Sequence, residues 1–125
     1  MKITVTNIEL YARVEVLKPL LDRADLIGYA AALNTRKFED LRYAYEQAQQ
    51  NLFNAYGQQE MDENGKPTNR LIVPFDSPNI DIFKQEMNKI GHLTHEVDIF
   101  TIPASEVIGK LTGNDILNID WMLEK

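Results

Sequence analysis

The residues best suited to chemistry lie in His92-Leu93-Thr94-His95-Glu96. Two histidines three apart, followed by a glutamate, have the donor types of a zinc site. The order H-E-x-x-H, which puts both imidazoles on one helix face with a glutamate as base, is absent. A complete site would need a third ligand from far along the chain, and a helix end followed by a strand entry accounts for both histidines. Nucleophilic catalysis would need one of them beside an activated serine, and no motif places one there. Asp62-Glu63-Asn64-Gly65 resembles the front of a calcium loop. Counted from Asp62, however, the fifth position is Lys66, the sixth Pro67 and the twelfth Val73, where oxygen, glycine and acid are required. A hairpin turn is the better reading.

The six glycines are too dispersed to cradle a phosphate, and neither nucleotide-binding glycine motif occurs. Asp76, Asp81 and Asp98 have the right type for acid–base work, but no spacing pairs them. Zero cysteines exclude disulfides, thiol catalysis and thiolate metal sites. No catalytic residue, metal or cofactor is therefore expected. Arg36, Lys37 and Arg42 are the candidates for an anion-binding cleft, set against a solvated helix face. Trp121, the sole tryptophan, is read as closing the core beside Ile119, Met122 and Leu123, with an interface anchor as the alternative.

Charge narrows the partners. Residues 57–125 hold six Lys/Arg and twelve Asp/Glu, while residues 1–56 are balanced at seven each. Phosphate backbones require clustered cations, so nucleic acid is not an expected partner. No apolar run reaches 18 residues, and the start MKITVTNIEL has no apolar h-region, so neither membrane span nor leader is expected. At 125 residues the chain suits one domain, 1–125, divided into a helical hairpin (1–57) and a smaller α+β part (58–125).

The element that must position everything else is residues 25–56. Placing Phe38 at heptad position a puts Ala31, Tyr45 and Leu52 at a, and Ile27, Asn34, Leu41, Ala48 and Ala55 at d. That seam predicts a helix packed lengthwise on a partner. About 32 helical residues span roughly 48 Å, whereas a globule of this length is roughly 30–35 Å across. One end is therefore expected to protrude or to pack on another molecule. The preceding helix, expected over 7–22, is too short to cover residues 45–56, so Tyr45, Ala48, Leu52, Phe53 and Tyr56 are the expected interface, most simply that of a homodimer.

Local signals fix the remaining elements. Thr6-x-x-Glu9 is a capping box, with Leu10, Val14, Leu17 and Leu21 as the buried stripe behind it. Pro19 should kink or break that helix. Asp25 suits the N-cap of the long helix and Gly57 the C′ position that closes it. Asn64-Gly65 marks a tight hairpin turn. Ser77-Pro78 should cap a helix over 78–90. A small antiparallel sheet is expected from 70–73 and 96–102, with 2–5 as a possible addition. A short helix follows Ser105, Thr112-Gly113-Asn114 breaks it, and Ile116, Ile119, Trp121, Met122 and Leu123 form a final apolar turn or helix. The class is α+β, mainly α: a helical hairpin with one long helix, a small antiparallel sheet and short C-terminal helices.

The order N-I-E-L, A-L-N-T-R-K-F-E-D-L, L-F-N-A-Y-G, D-E-N-G-K, E-V-D-I-F-T-I-P and D-I-L-N-I-D-W-M-L is similar to small proteins encoded by tailed phages and prophages. That family carries no established activity. The resemblance implies the bacterial cytoplasm and a non-enzymatic accessory role by protein–protein contact, with a phage or host protein as a further possible partner. The alternative it leaves open is an anti-defence inhibitor or a sponge for a small nucleotide-type signal. An enzyme ranks third.

Overall fold

A computed structural model describes residues 1–124. The elements in order are β1 (Lys2–Thr6), α1 (Asn7–Leu17), a 3₁₀ turn (Lys18–Leu20), α2 (Leu26–Tyr56), β2 (Gln58–Met61), β3 (Pro67–Ile72), α3 (Ile80–Gly91), β4 (Thr94–Asp98), β5 (Ile102–Pro103), α4 (Gly113–Asn118) and β6 (Leu123–Glu124), with further 3₁₀ turns at Ala104–Glu106 and Asp120–Met122. The class is α+β, mainly α, around one long helix. Among the described residues no helix is long and apolar enough to cross a membrane.

The chain forms two compact units. One is Met1–Arg42 with the chain from Thr94 onward; the other is Tyr43–Leu93. The boundary differs from the expected division at residue 57 and falls within α2. The reason is a long-range pairing that periodicity does not reveal: β1 pairs antiparallel with β4, Lys2 opposite Asp98 through Thr6 opposite Thr94. The C-terminal segment thereby belongs with the N-terminus.

In the first unit the capping box forms as expected. The Thr6 hydroxyl accepts from Glu9 N–H, and the Glu9 carboxylate accepts from Thr6 N–H. Leu10, Val14 and Leu17 are buried. Pro19 ends α1 at Leu17 by enforcing the 3₁₀ turn. The tighter winding buries Leu20 and turns Leu21 outward, against the expected stripe. Ile27, Ala30, Ala31 and Phe38 from α2 join the same core as Val97, Ile99, Ile102, Val107, Ile119 and Met122. Asp25 caps α2 by accepting from Gly28 N–H.

The sheet expected from 70–73 and 96–102 does not form. β3 pairs with β2, Gln58 opposite Ile72, and β4 pairs with β1. The 96–102 run is broken because Ile99 and Phe100 leave the strand: Ile99 N–H donates to Met1 O, and Phe100 is held by Asn34. Ile102–Pro103 then forms a short parallel pair with Leu123–Glu124. Thr112 separates the two C-terminal elements, as expected, and its hydroxyl accepts from Asp115 N–H as the N-cap of α4, which begins two residues earlier, at Gly113, than a break over 112–114 allows. The helix expected after Ser105 is reduced to the 3₁₀ turn, and Gly109 adopts φ +79° beyond it.

In the second unit Gly65 sits at φ +75° in the β2–β3 turn, where Asp62 Oδ1 accepts from Asn64 and Lys66 N–H. Gly57 closes α2 as expected, directly after Tyr56. Its N–H donates to Phe53 O at 2.7 Å, and a Cβ there would lie 2.4 Å from that same oxygen. α3 starts two residues later than expected. Ser77 Oγ accepts from Asn79 N–H in a turn, and Ile80 is the first helical residue.

Candidate functional site

Tyr45 is buried, only 8% exposed, so it is withdrawn from the expected interface. Ala48, Leu52, Phe53 and Tyr56 are half-buried, and Phe53 packs edge-on against Phe83 of α3 at 5.0 Å. The C-terminal third of α2 therefore has a partner within its own unit, which helix counting did not supply. The unit nonetheless remains shallow. Leu71, Ile72 and Val73 of the hairpin and Ile80, Phe83, Met87 and Ile90 around α3 are all half-buried. Tyr43, Met61 and Phe75 stand out at 64%, 58% and 86% exposure. Phe75 is touched on its ring by the Lys84 ammonium at 5.2 Å.

The three candidate cations do not form one cleft. Arg42 Nη2 donates to Glu39 Oε1 at 2.6 Å, and Arg36 is exposed. Lys37 lines an open cleft of about 440 Å³ with Met1, Asp98 and Phe100, which Arg36 and Arg42 do not reach. The Met1 ammonium donates to Asp98 Oδ1 at 3.0 Å and to Ile99 O at 3.2 Å. That bond and its charge, with Lys37 and Lys2 adding, hold the Asp98 carboxyl below its usual range. The cleft thus already carries its own anion beside Lys37.

The histidines have separate employment. His92 Nδ1 donates to Asn88 O at 2.8 Å at the end of α3, and His95 Nε2 donates to the buried Asn7 Oδ1 at 3.0 Å. Among the described residues no three His, Cys, Asp or Glu side chains gather as a metal-holding group.

Two polar features carry more than the sequence reading gave them. Asn34, at a d position and fully buried, forms a two-bond clamp: its Nδ2 donates to Phe100 O at 2.9 Å and its Oδ1 accepts from Phe100 N–H at 2.7 Å. A lone Asn inside an apolar seam is the visible signal for such a role. The second is Arg13. Its guanidinium lies over the Trp121 ring, 5.0 Å from the centroid, and Phe38 packs tilted on the same indole at 5.8 Å. Trp121 Nε1 donates to Asn118 O at 2.9 Å. Trp121 thus closes the core, as expected, but only in part, and it shares an open cleft of about 480 Å³ with Arg13, Ile3, Leu123, Asp120 and Glu124.

No known protein family, curated protein or solved structure matches the chain.

Proposed function

We propose that this is a non-enzymatic accessory protein, of the phage or prophage type and acting in the bacterial cytoplasm, that works by protein–protein contact through its Tyr43–Leu93 unit, most simply as a homodimer. The observation that carries the reading is the incomplete burial of that unit's apolar side chains. Phe75 is 86% exposed, and no large side chain from the hairpin or α3 is fully buried. Scattered exposed hydrophobics are ordinary; a hairpin and a helix that between them bury no large apolar side chain fully are not. The β2–β3 sheet has two strands only, so each strand keeps an open edge among the described residues, and two-stranded hairpins are marginal unless something packs on them. A second copy supplies a matching apolar surface by symmetry, since an isologous interface uses one patch twice.

Light scattering on a sizing column at tens of micromolar checks this. A dimer mass is expected for the wild type and a monomer mass for the Tyr43→Glu and Phe75→Glu variants, both of which alter exposed positions. A wild-type monomer across that range removes the homodimer.

A further inference from the structure

Asn64 carries the groups for a reaction that the chain can perform on itself. Of the ten asparagines, it alone precedes a glycine. The carboxamide carbon of an asparagine lies within reach of the next residue's backbone nitrogen, and closing that bond makes a five-membered imide. A side chain on the following residue obstructs the approach and narrows the backbone rotation it requires, whereas glycine does neither. At Gly65 a Cβ would meet nothing within 4 Å, so no neighbouring group crowds the approach. Asn64 is exposed, and among the described residues its carboxamide has no hydrogen-bond partner. The other nine asparagines are followed by alanine or larger residues, and Asn7 and Asn34 are buried as well.

The same turn restrains the reaction. Gly65 N–H donates to Asp62 O at 3.0 Å, the bond that closes a β-turn. Asp62 Oδ1 accepts from Asn64 N–H and from Lys66 N–H, each at 2.9 Å. The attacking nitrogen must leave Asp62 O and rotate toward Asn64 Cγ, so ring closure requires this turn to open. A two-stranded hairpin is marginal on its own, and this one belongs to the unit with the shallower burial, where local openings are frequent.

We propose that Asn64 is a site of spontaneous deamidation, gated by opening of the Asp62–Lys66 turn. Gly65 N loses its proton to solvent and bonds to Asn64 Cγ; the Cγ–Nδ2 bond breaks, and ammonia leaves with a proton taken up from water. One water then opens the imide. Attack at Cγ gives aspartate. Attack at the Asn64 backbone carbonyl leaves the chain running through Cγ, an isoaspartate. Both products add a negative charge beside Asp62 and Glu63. Isoaspartate also lengthens the main chain by one methylene, which moves Gly65 N–H away from Asp62 O and loosens the hairpin. The chemistry is confined to the turn and does not depend on the homodimer.

The full chain, incubated at one mildly alkaline pH with and without guanidinium chloride above its unfolding midpoint, tests this by peptide mapping. Deamidation adds one mass unit, and isoaspartate is separated from aspartate by its labelling with an isoaspartyl methyltransferase. Asn64 should convert ahead of every other asparagine, with isoaspartate among the products, and several-fold or more slowly in the folded chain than in the unfolded one. Asn64→Gln, whose ring would be six-membered, is the blank. Asp62→Ala should speed the folded chain several-fold and leave the unfolded rate unchanged; a mere influence of the neighbouring charge would act in both states. In the aged protein, amides of β2 and β3 should exchange faster than in fresh protein, with α1 unchanged. No conversion in the folded chain, equal rates with and without denaturant, earlier conversion elsewhere, an Asp62→Ala effect of equal size in both states, or unchanged exchange after conversion would each overturn the proposal. The comparison with and without denaturant stands even if Asp62→Ala fails to fold.

Discussion

Asn34 is the single polar side chain on which the first unit's closure most depends. It occupies a d position between Ala31 and Phe38, all fully buried. Apolar packing there would be simpler, yet the amide satisfies both backbone groups of Phe100 where the chain leaves β4. Those groups have no strand partner at that point, so the side chain replaces a ladder rung. Asn34→Ala removes both bonds to Phe100 and a weaker one to Met122 Sδ, and strands the part-buried N–H and C=O of Phe100. A loss of about 3 kcal/mol is expected, measured as a shift of the urea midpoint at unchanged slope. Asn34→Asp restores one acceptor but places a charge in the core, and should be no better. If Asn34→Ala costs less than about 1 kcal/mol, water replaces the amide freely and the clamp carries no weight.

At the scale of elements, the start of α2 sets geometry and propensity against each other. Gly28 lies in the first turns of the helix, where alanine should gain about 1 kcal/mol by propensity alone. The preceding turn, however, brings Arg23 O to within 2.0 Å of where a Cβ would stand. That turn is fixed by the Arg23–Asp25 ion pair, Nη2 to Oδ2 at 2.7 Å, and by the Asp25 cap on Gly28 N–H. Backbone cannot yield as a side-chain tip can, so Gly28→Ala should destabilise by about 2 kcal/mol or more. Thermal melting decides between the two, since the predicted changes have opposite sign; a raised melting temperature would show the turn to be soft. The elements also show what local sequence can carry. The Thr6–Glu9 box, the Pro19 break, the α2 span and the Asn64-Gly65 turn were legible because each is decided within a few residues. Strand partnership was not: β1 meets β4 across about ninety residues, and nothing in the alternation of residues 2–5 names its partner. Thr112-Gly113-Asn114 is legible as a boundary, but Gly113 and Asn114 already belong to α4, because a residue that ends one element can cap the next. Leu21 was misplaced because a 3₁₀ turn changes the period that selected it. The cleft was half legible: Trp121 is conspicuous as the only tryptophan, whereas Arg13 beside the Leu10–Val14–Leu17 stripe looks like any helix-flank cation until the C-terminal segment is laid over it.

At the scale of the molecule, the two units differ in how deeply they bury their side chains. All members of the main core cluster belong to the Met1–Arg42 and C-terminal unit. In Tyr43–Leu93, Tyr45 is buried, but the large apolar side chains of the hairpin and α3 are half-covered or exposed. Opening free energy follows local apolar burial, so amides of β2, β3 and α3 should exchange with solvent through sub-global openings well before those of α1 and the Leu26–Arg42 part of α2. α2 should then show a gradient of protection along its own length, falling beyond Arg42, although its helical hydrogen bonding is continuous. Hydrogen–deuterium exchange by mass spectrometry measures this directly. The concentration dependence adds a second, independent reading: if a second copy covers the Tyr43–Leu93 unit, its exchange slows as protein concentration rises, because association stabilises whatever it buries, while exchange in α1 and β4 stays constant. Uniform protection along α2 would show the shallow unit to be as stable as the deep one. Concentration-independent exchange in β2, β3 and α3 would leave their exposed apolar side chains uncovered and count against the homodimer, without touching the Arg13–Trp121 cleft, which lies in the other unit.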